Sequence, residues 1–158
     1  MFITTSFDNN LAFLQWLIPA WKALAETLSA VDGLSNALLN QHLVPKVLQK
    51  SAARGGNSLG LDTENPVVVS LLTLTWNRAA DDSTVMGAAR EFMYRVRQEA
   101  KRRGVHNPFV YLNYADHGQP VIDGYGAASK ARLRAVSRKY DPAGIFQDAV
   151  PGGFKLWP

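Results

Sequence analysis

The sequence predicts an α+β fold, in which a sheet of mostly antiparallel strands carries helices packed mainly on one face. Short β-branched and aromatic runs alternate with longer amphipathic stretches along the chain. Residues 67–76 are apolar on both faces, which is typical of a strand central in a covered sheet. A hydrophobic content of 47% with 19% charged residues suits a packed core. We therefore expect a single domain over residues 1–158.

The amino-terminal half begins with a strand that leads into a helix. Residues 1–7 form the strand, and the polar residues after it, including Asn10, can cap a helix. Apolar positions from Leu11 to Leu28 recur at helical spacing, and Pro19 is expected to kink this helix or divide it. Residues 34–50 are compatible with a short strand or with helical turns, and Pro45 could open a second helix. Residues 58–61 could form a further strand.

The carboxyl-terminal half contains two more helices and one more strand. Asp81 and Asp82 supply capping and negative charge at the start of a helix that ends near Gly104. Its predicted buried face consists of Val85, Ala89, Phe92, Met93, Val96 and Ala100. Residues 109–114 are predicted as a strand after Pro108, and residues 128–140 as another amphipathic helix. The tail beyond is apolar but rich in glycine and proline.

The positive charge of the chain does not indicate nucleic-acid binding. The formal net charge is +4, and the excess lies in residues 95–103 and 130–139. Cations near helix carboxyl ends are favourable as a solvated face, although such helices could also meet phosphates or an acidic partner. No aromatic residues alternate with the charges as in a base-stacking surface. We therefore expect no nucleic-acid partner.

Several other site classes are disfavoured by composition. Cysteine is absent, which excludes disulfides, thiolate catalysis and thiolate metal ligands. The three histidines lack metal-ligand spacing, so we expect no metal site. The apolar stretch near the amino terminus is interrupted by Gln15, Lys22 and Glu26, which predicts neither a signal peptide nor a membrane span. If Met1 is the natural start, the expected compartment is the cytoplasm.

Residues 111–156 carry the most specific motifs of the chain. They read Tyr-Leu-Asn-Tyr-Ala-Asp, Gln-Pro-Val-Ile, Lys-Tyr-Asp-Pro and Val-Pro-Gly-Gly-Phe-Lys-Leu. Together they resemble the carboxyl-terminal segment of the berberine-bridge-enzyme-like FAD-linked oxidoreductases, especially those of fungal secondary metabolism. The resemblance is looser through residues 51–76. It implies the substrate domain of such an enzyme, with the separate FAD-binding domain absent from this sequence.

The candidate catalytic residues lie at the start of this region. The resemblance implies that Tyr114 takes or donates a proton and that Asn113 lies near the bound ligand. Tyr111 is a candidate substrate contact, and Asp116 and His117 could act with Tyr114 as an acid/base pair. As a strand, this segment would place Tyr111 and Asn113 on one face and Tyr114 on the other. The pattern alone favours a half-buried ring for each tyrosine, with its hydroxyl bonded to a neighbour, and the resemblance is what points to a catalytic role.

Two further substrate contacts are predicted upstream. Arg54 and Asn57 belong to a Gly-Gly-Asn-Ser-Leu-Gly-Leu piece that resembles a pocket-lining stretch in fungal relatives. Asn57 could orient a substrate oxygen. The alternative is simple turn geometry, for which Gly55 and Gly56 supply the backbone freedom.

The expected function is that of a stand-alone secondary-metabolite enzyme acting on a small molecule. Without a flavin domain, we expect no cofactor and a redox-neutral cyclisation or isomerisation that depends on substrate orientation. The alternative is the carboxyl-terminal part of a split or truncated FAD-dependent oxidase, with FAD on a partner chain, or a partner without chemistry. An apolar sheet face without its flavin domain would be exposed, so we expect a homodimer or a complex with another chain.

Overall fold

The computed structural model describes residues 1–61 and 64–157 and shows an α+β fold built on one antiparallel sheet. Its strands are β1 (Phe2–Asp8), β2 (Ser35–Leu43), β3 (Val67–Thr75) and β4 (His106–Asn107), in the spatial order β2-β3-β1-β4. The predicted fold class is confirmed. The prediction of a central strand at residues 67–76 is also confirmed, because β3 pairs with β2 on one side and with β1 on the other.

Helices follow the strands in chain order. They are α1 (Leu11–Thr27), α2 (Pro45–Ala53), α3 (Asp82–Arg102), α4 (Val121–Gly124), α5 (Gly126–Tyr140) and α6 (Ile145–Asp148). Short 3₁₀ turns occur at Ala79–Asp81 and Leu112–Tyr114. Among the described residues, no helix has both the length and the apolar character that crossing a membrane requires.

The main core lies between the sheet and the two long helices. The register aligns Leu38, Leu72 and Ile3 across the three long strands, so these side chains share the face that packs on α1 and α3. The six residues predicted to form the buried face of α3 are all buried. Both observations confirm the predicted arrangement of helices mainly on one face.

Helix α1 is continuous through its proline. The Oδ1 atom of Asn10 accepts a hydrogen bond from the backbone N–H of Phe13 at 2.9 Å, which confirms the predicted amino-terminal cap. Pro19 does not divide the helix. Leu17 and Leu24, on either side of it, are buried in the same core, and this shared burial holds both halves against the sheet.

The ambiguous residues 34–50 form one strand and one helix, β2 and α2. Residues 58–61, in contrast, do not form a strand. They follow a turn that the Asn57 side chain closes, because the backbone N–H of Leu59 donates to Oδ1 of Asn57 at 2.9 Å. Gly60 has a φ of +70°, and an added Cβ would lie 1.9 Å from the carbonyl oxygen of Tyr125. This loop therefore docks closely against the start of α5.

The predicted strand at residues 109–114 is wrong. Strand β4 ends at Asn107, because Pro108 has no N–H to extend the ladder and Oδ1 of Asn107 accepts the N–H of Phe109 at 3.1 Å. The chain then turns across the sheet, and Leu112–Tyr114 forms a 3₁₀ turn. The sequence pattern alone did not reveal this turn, since β-branched and aromatic residues favour strands in general.

Candidate functional site

The candidate site lies on the sheet face opposite α1 and α3. Val69 points to this face, since its neighbour Val68 belongs to the main core. A second apolar cluster covers Val69 and contains Phe109, Val110, Val121 and Tyr125. The segment after β4 and the short helix α4 therefore cover one part of this face.

The 3₁₀ turn brings together three residues predicted for the site. The rings of Tyr111 and Tyr114 meet edge to face, with centroids 4.8 Å apart. Residues three positions apart in a 3₁₀ turn lie above one another, so both tyrosines lie on one side rather than on opposite faces. Nδ2 of Asn113 donates a hydrogen bond to the Tyr111 hydroxyl at 2.9 Å. The expectation that Tyr114 faces away from Tyr111 is corrected by this geometry.

An apolar cavity of about 240 Å³ lies beside Tyr111. Its walls come from β2, α2, the loop after α2, β3 and the segment after β4. They are Gln41, Leu43, Val47, Leu48, Ser51, Asn57, Leu59, Leu61, Val69, Phe109 and Tyr111. Tyr111 itself lines this cavity, and Tyr114 packs edge-on against it. The polar atoms at the cavity belong to neutral side chains, so an uncharged and largely apolar molecule fits it best.

Asp116 and His117 lie beyond the turn. Oδ2 of Asp116 accepts a hydrogen bond from Nε of Arg90 in α3 at 2.8 Å, and this bond with its charge raises the pKa of Arg90. The carboxylate thus ties the loop to α3, while the His117 side chain is exposed. Their proposed acid/base partnership with Tyr114 stays a prediction.

Arg54 and Asn57 occupy the turn that follows α2. Arg54 is exposed there, and Nδ2 of Asn57 donates to Oγ of Ser51 at 2.9 Å. The φ angles of Gly55 and Gly56 are +95° and +71°, which glycine tolerates best. Asn57 lines the cavity, but both ends of its amide already serve the turn. The turn geometry accounts for the amide of Asn57, and the substrate contacts predicted for Arg54 and Asn57 stay predictions.

Sequence reasoning missed most of the apolar wall of the cavity. Leu43, Val47 and Leu48 line it, and the available signal was their position on either side of Pro45, which begins α2. It also missed the ring of Tyr125, which stacks on Phe109 with centroids 5.7 Å apart. Burial raises the pKa of the Tyr125 hydroxyl, so this phenol stays protonated and supports the wall.

The chain is similar to several fungal enzymes. It is 32% identical over 159 residues to the FAD-dependent monooxygenase drtC of Aspergillus calidoustus, and the match covers 99% of this chain and 30% of that protein. It is 37% identical over 161 residues to the FAD-dependent monooxygenase FUP4 of Fusarium proliferatum, and this match covers 98% of the chain and 31% of that protein. It is 34% identical over 126 residues to the bifunctional solanapyrone synthase of Alternaria solani, and this match covers 80% of the chain and 24% of that protein. No protein-family model matches the chain.

These relatives correct two expectations. Those named above are FAD-dependent monooxygenases and a solanapyrone synthase, and none of them has a berberine-bridge-enzyme name, so the assignment to that family is wrong. The expectation of no cofactor is also wrong, because the names of the relatives point to FAD. The chain spans less than a third of the length of the two monooxygenases, at 30% and 31%. It is thus similar, along nearly all of its own length, to one part of much longer FAD-dependent enzymes.

Proposed function

We propose that the chain is the substrate-binding part of an FAD-dependent enzyme of secondary metabolism, and that its small-molecule substrate occupies the cavity beside Tyr111. Two observations support this function. The similarity to the FAD-dependent monooxygenases extends over 99% and 98% of the chain. The cavity combines an apolar lining with a few neutral polar groups, which is the usual composition of a small-molecule site.

The cavity favours a flat, conjugated substrate with one polar end. Phe109 and Tyr111 present rings whose centroids are 6.4 Å apart, and Leu43 and Leu48 supply aliphatic walls. Aromatic and aliphatic side chains bury such a molecule without demanding charge. Ser51 and Gln41 place the polar part of the lining on α2 and β2. Polyketide-like or alkaloid-like molecules have the required chemistry.

Tyr111 is the group best placed to orient the substrate. Its hydroxyl accepts a hydrogen bond from Asn113, so its O–H proton remains to be donated to a carbonyl of the ligand. Tyr114 holds the ring of Tyr111 through the edge-to-face contact. We propose that Asn113 and Tyr114 fix the direction in which Tyr111 donates. A proton-transfer role for Tyr114 with Asp116 belongs to the same proposal.

The residues of this cavity do not fit the whole of FAD. The polar side chains of its lining are neutral, whereas a diphosphate is held by cations or by converging backbone N–H groups. The donor set suits an uncharged ring system instead. We therefore propose that the diphosphate of FAD is held by residues outside this cavity. The cavity contributes substrate binding, orientation and the exclusion of water.

A cyclisation or isomerisation of the bound substrate is a second candidate step for the same cavity. The observation that favours it is the neutral lining, since positioning of reactive groups needs shape and few charges. We propose it as a step that accompanies the FAD-dependent chemistry of the whole enzyme, not as a replacement for it.

Binding of a neutral apolar fluorophore tests the cavity. N-phenyl-1-naphthylamine is titrated into the purified chain, and its emission is expected to rise with saturation. Ser51→Phe adds a ring inside the cavity and should abolish most of that rise. Lys50→Phe is the matched control, because Lys50 is exposed on the same helix and does not line this cavity. Equal emission from the two variants would contradict the proposal.

A further inference from the structure

A second cavity, of about 340 Å³, lies at the β4 edge of the sheet. It is bounded by α3 on one side and by β4 and the start of α4 on the other, and Phe109 separates it from the apolar cavity by lining both. The proposed function makes no use of it.

Three basic side chains converge on this second cavity. Arg97 and Lys101 lie four residues apart and therefore share one side of α3, and His106 faces them from β4. Arg97 is half-buried, and its burial lowers the pKa of its guanidinium. Cations brought this close together repel one another unless an anion joins them.

The neighbouring acids are engaged elsewhere. Within residues 1–61 and 64–157, the ion pairs of α3 use Arg90, Arg102 and Arg103, and no carboxylate pairs with Arg97 or Lys101. Other basic residues and amides occupy the nearby carboxylates. Asp123 lines the cavity but pairs with Lys130, and Oδ1 of Asp8 accepts Nδ2 of Asn107 at 3.3 Å. Asp8 keeps its negative charge in that bond but lies outside the cavity lining, which therefore holds two cations, Arg97 and Lys101, and the one carboxylate of Asp123.

His106 adds a neutral hydrogen-bond donor to these two cations. Burial, followed by the charges of Lys101 and Arg97, lowers the pKa of His106, and only Asp8 acts in the opposite direction. The imidazole is therefore neutral at pH 7 and can donate one N–H. An anion placed between the three groups would relieve the repulsion and favour protonation of the ring.

We propose that the cavity between Arg97, Lys101 and His106 binds the oxyanion of a small molecule, either a phosphate ester or a carboxylate. The guanidinium of Arg97 can hold such a group with two parallel hydrogen bonds, and the ammonium of Lys101 adds a flexible third contact. The remaining volume and the ring of Phe109 accommodate the organic part of the ligand.

Titration with inorganic phosphate tests the site. Phosphate is added to the ¹⁵N-labelled full chain at constant ionic strength, and the amide signals of the three basic residues should shift with saturation. Arg97→Gln should weaken the fitted affinity roughly tenfold, since it removes hydrogen bonds from a charged group. Arg95→Gln, which removes an exposed charge from the same helix, should change it less than roughly twofold.

The source of the oxyanion is distinguished by parallel titrations with acetate and with ADP. Tighter binding of ADP than of phosphate assigns the site to a nucleotide phosphate, and tighter binding of acetate assigns it to a carboxylate. Lys101→Gln, at an exposed position, repeats the test if Arg97→Gln lowers the melting temperature. Amide shifts that rise linearly with phosphate and never saturate would overturn the proposal. Equal losses of phosphate affinity in Arg97→Gln and Arg95→Gln would overturn it as well.

Discussion

At the residue scale, two buried hydroxyls of the sheet differ in their partners. The hydroxyl of Thr4 donates to the carbonyl oxygen of Ser70 at 2.8 Å. The hydroxyl of Ser70 is buried, and the described part of the chain offers it no partner. A buried hydroxyl without a hydrogen bond has lost its water and gained nothing in exchange. The two side chains should therefore respond in opposite ways to removal of the oxygen.

The first prediction concerns this pair. Ser70→Ala should raise the free energy of unfolding by about 1 kcal/mol, because the desolvation cost of the hydroxyl disappears. Thr4→Val should lower it by a similar amount, because its hydroxyl has a partner. Urea denaturation followed by circular dichroism measures both. A loss of stability in Ser70→Ala as large as that in Thr4→Val would show that the Ser70 hydroxyl has a partner after all.

The second prediction concerns the tyrosines. In the whole enzyme, Tyr111→Phe should lower kcat/KM roughly tenfold, because a hydrogen bond donated to the substrate is lost. Tyr114→Phe keeps the ring that holds Tyr111 and should have a smaller effect unless its own hydroxyl transfers a proton. Steady-state kinetics of both variants separate the two roles. An unchanged Tyr111→Phe enzyme would remove that hydroxyl from substrate orientation.

The third prediction concerns pH. Hydrogen bonds from Arg102 and Arg103 lower the pKa of Glu99 to about 2, and the first cause is the bond from Arg102. Since the folded pKa is depressed, the stabilisation is present above the unfolded value of 4.5 and is lost as pH falls towards about 2. Glu99→Gln should therefore lower the melting temperature at pH 7 and have little effect near pH 2. Glu91→Gln, at an exposed position of the same helix, is the control.

At the element scale, a side chain extends the edge of the sheet. Beyond the short strand β4, Nε2 of Gln119 donates to the carbonyl oxygen of Thr4 at 2.7 Å, and its Oε1 accepts the N–H of Thr4 at 3.1 Å. The same Oε1 accepts the N–H of Asp116 at 2.9 Å. The amide thus replaces a peptide unit of a missing neighbouring strand and positions the loop that follows the tyrosines.

The fourth prediction tests this amide. Gln119→Ala should lower the free energy of unfolding by about 1–3 kcal/mol, because it leaves the backbone of Thr4 unpaired inside the protein. Gln119→Glu keeps the acceptor but loses the donor, so its loss of unfolding free energy should lie between those of Gln119→Ala and the unchanged protein. Hydrogen exchange at the Thr4 amide should accelerate more in Gln119→Ala than in Gln119→Glu. Identical exchange in both variants and the unchanged protein would contradict this role.

The same elements show how far the sequence predicts the structure. Hydrophobic periodicity located α1 and α3, because each buries one face in the main core, and β3 was located by its continuous apolar run, which is buried on both faces. Residues 109–114 were misassigned because side-chain hydrogen bonds at both ends of the segment set its path. Oδ1 of Asn107 accepts the N–H of Phe109, and Gln119 joins the N–H of Asp116 to the carbonyl oxygen of Thr4. Such bonds leave no periodic signal. The sequence therefore points to the two tyrosines, whose roles stay predictions, but their arrangement on one side was not predictable.

At the scale of the whole molecule, the sheet face of the site is covered only in part. Near Val69 it lies under the second apolar cluster, whereas Phe2 and Leu39, farther along the same face, are both 49% exposed. We propose that a second copy of the chain covers this uncovered part. Size-exclusion chromatography with light scattering should show a dimer at micromolar concentration, and Leu39→Lys should shift it to a monomer. A monomeric unchanged protein would contradict the proposal.

The most direct test of the account is to map where a neutral apolar ligand binds. The ¹⁵N-labelled full chain is titrated with N-phenyl-1-naphthylamine, and the amide shifts are followed residue by residue. If the ligand enters the apolar cavity, saturable shifts are expected at Leu43, Leu48, Leu59 and Tyr111, which surround it. Shifts confined to the exposed surface around Phe2 and Leu39, or no saturable shift at all, would contradict it.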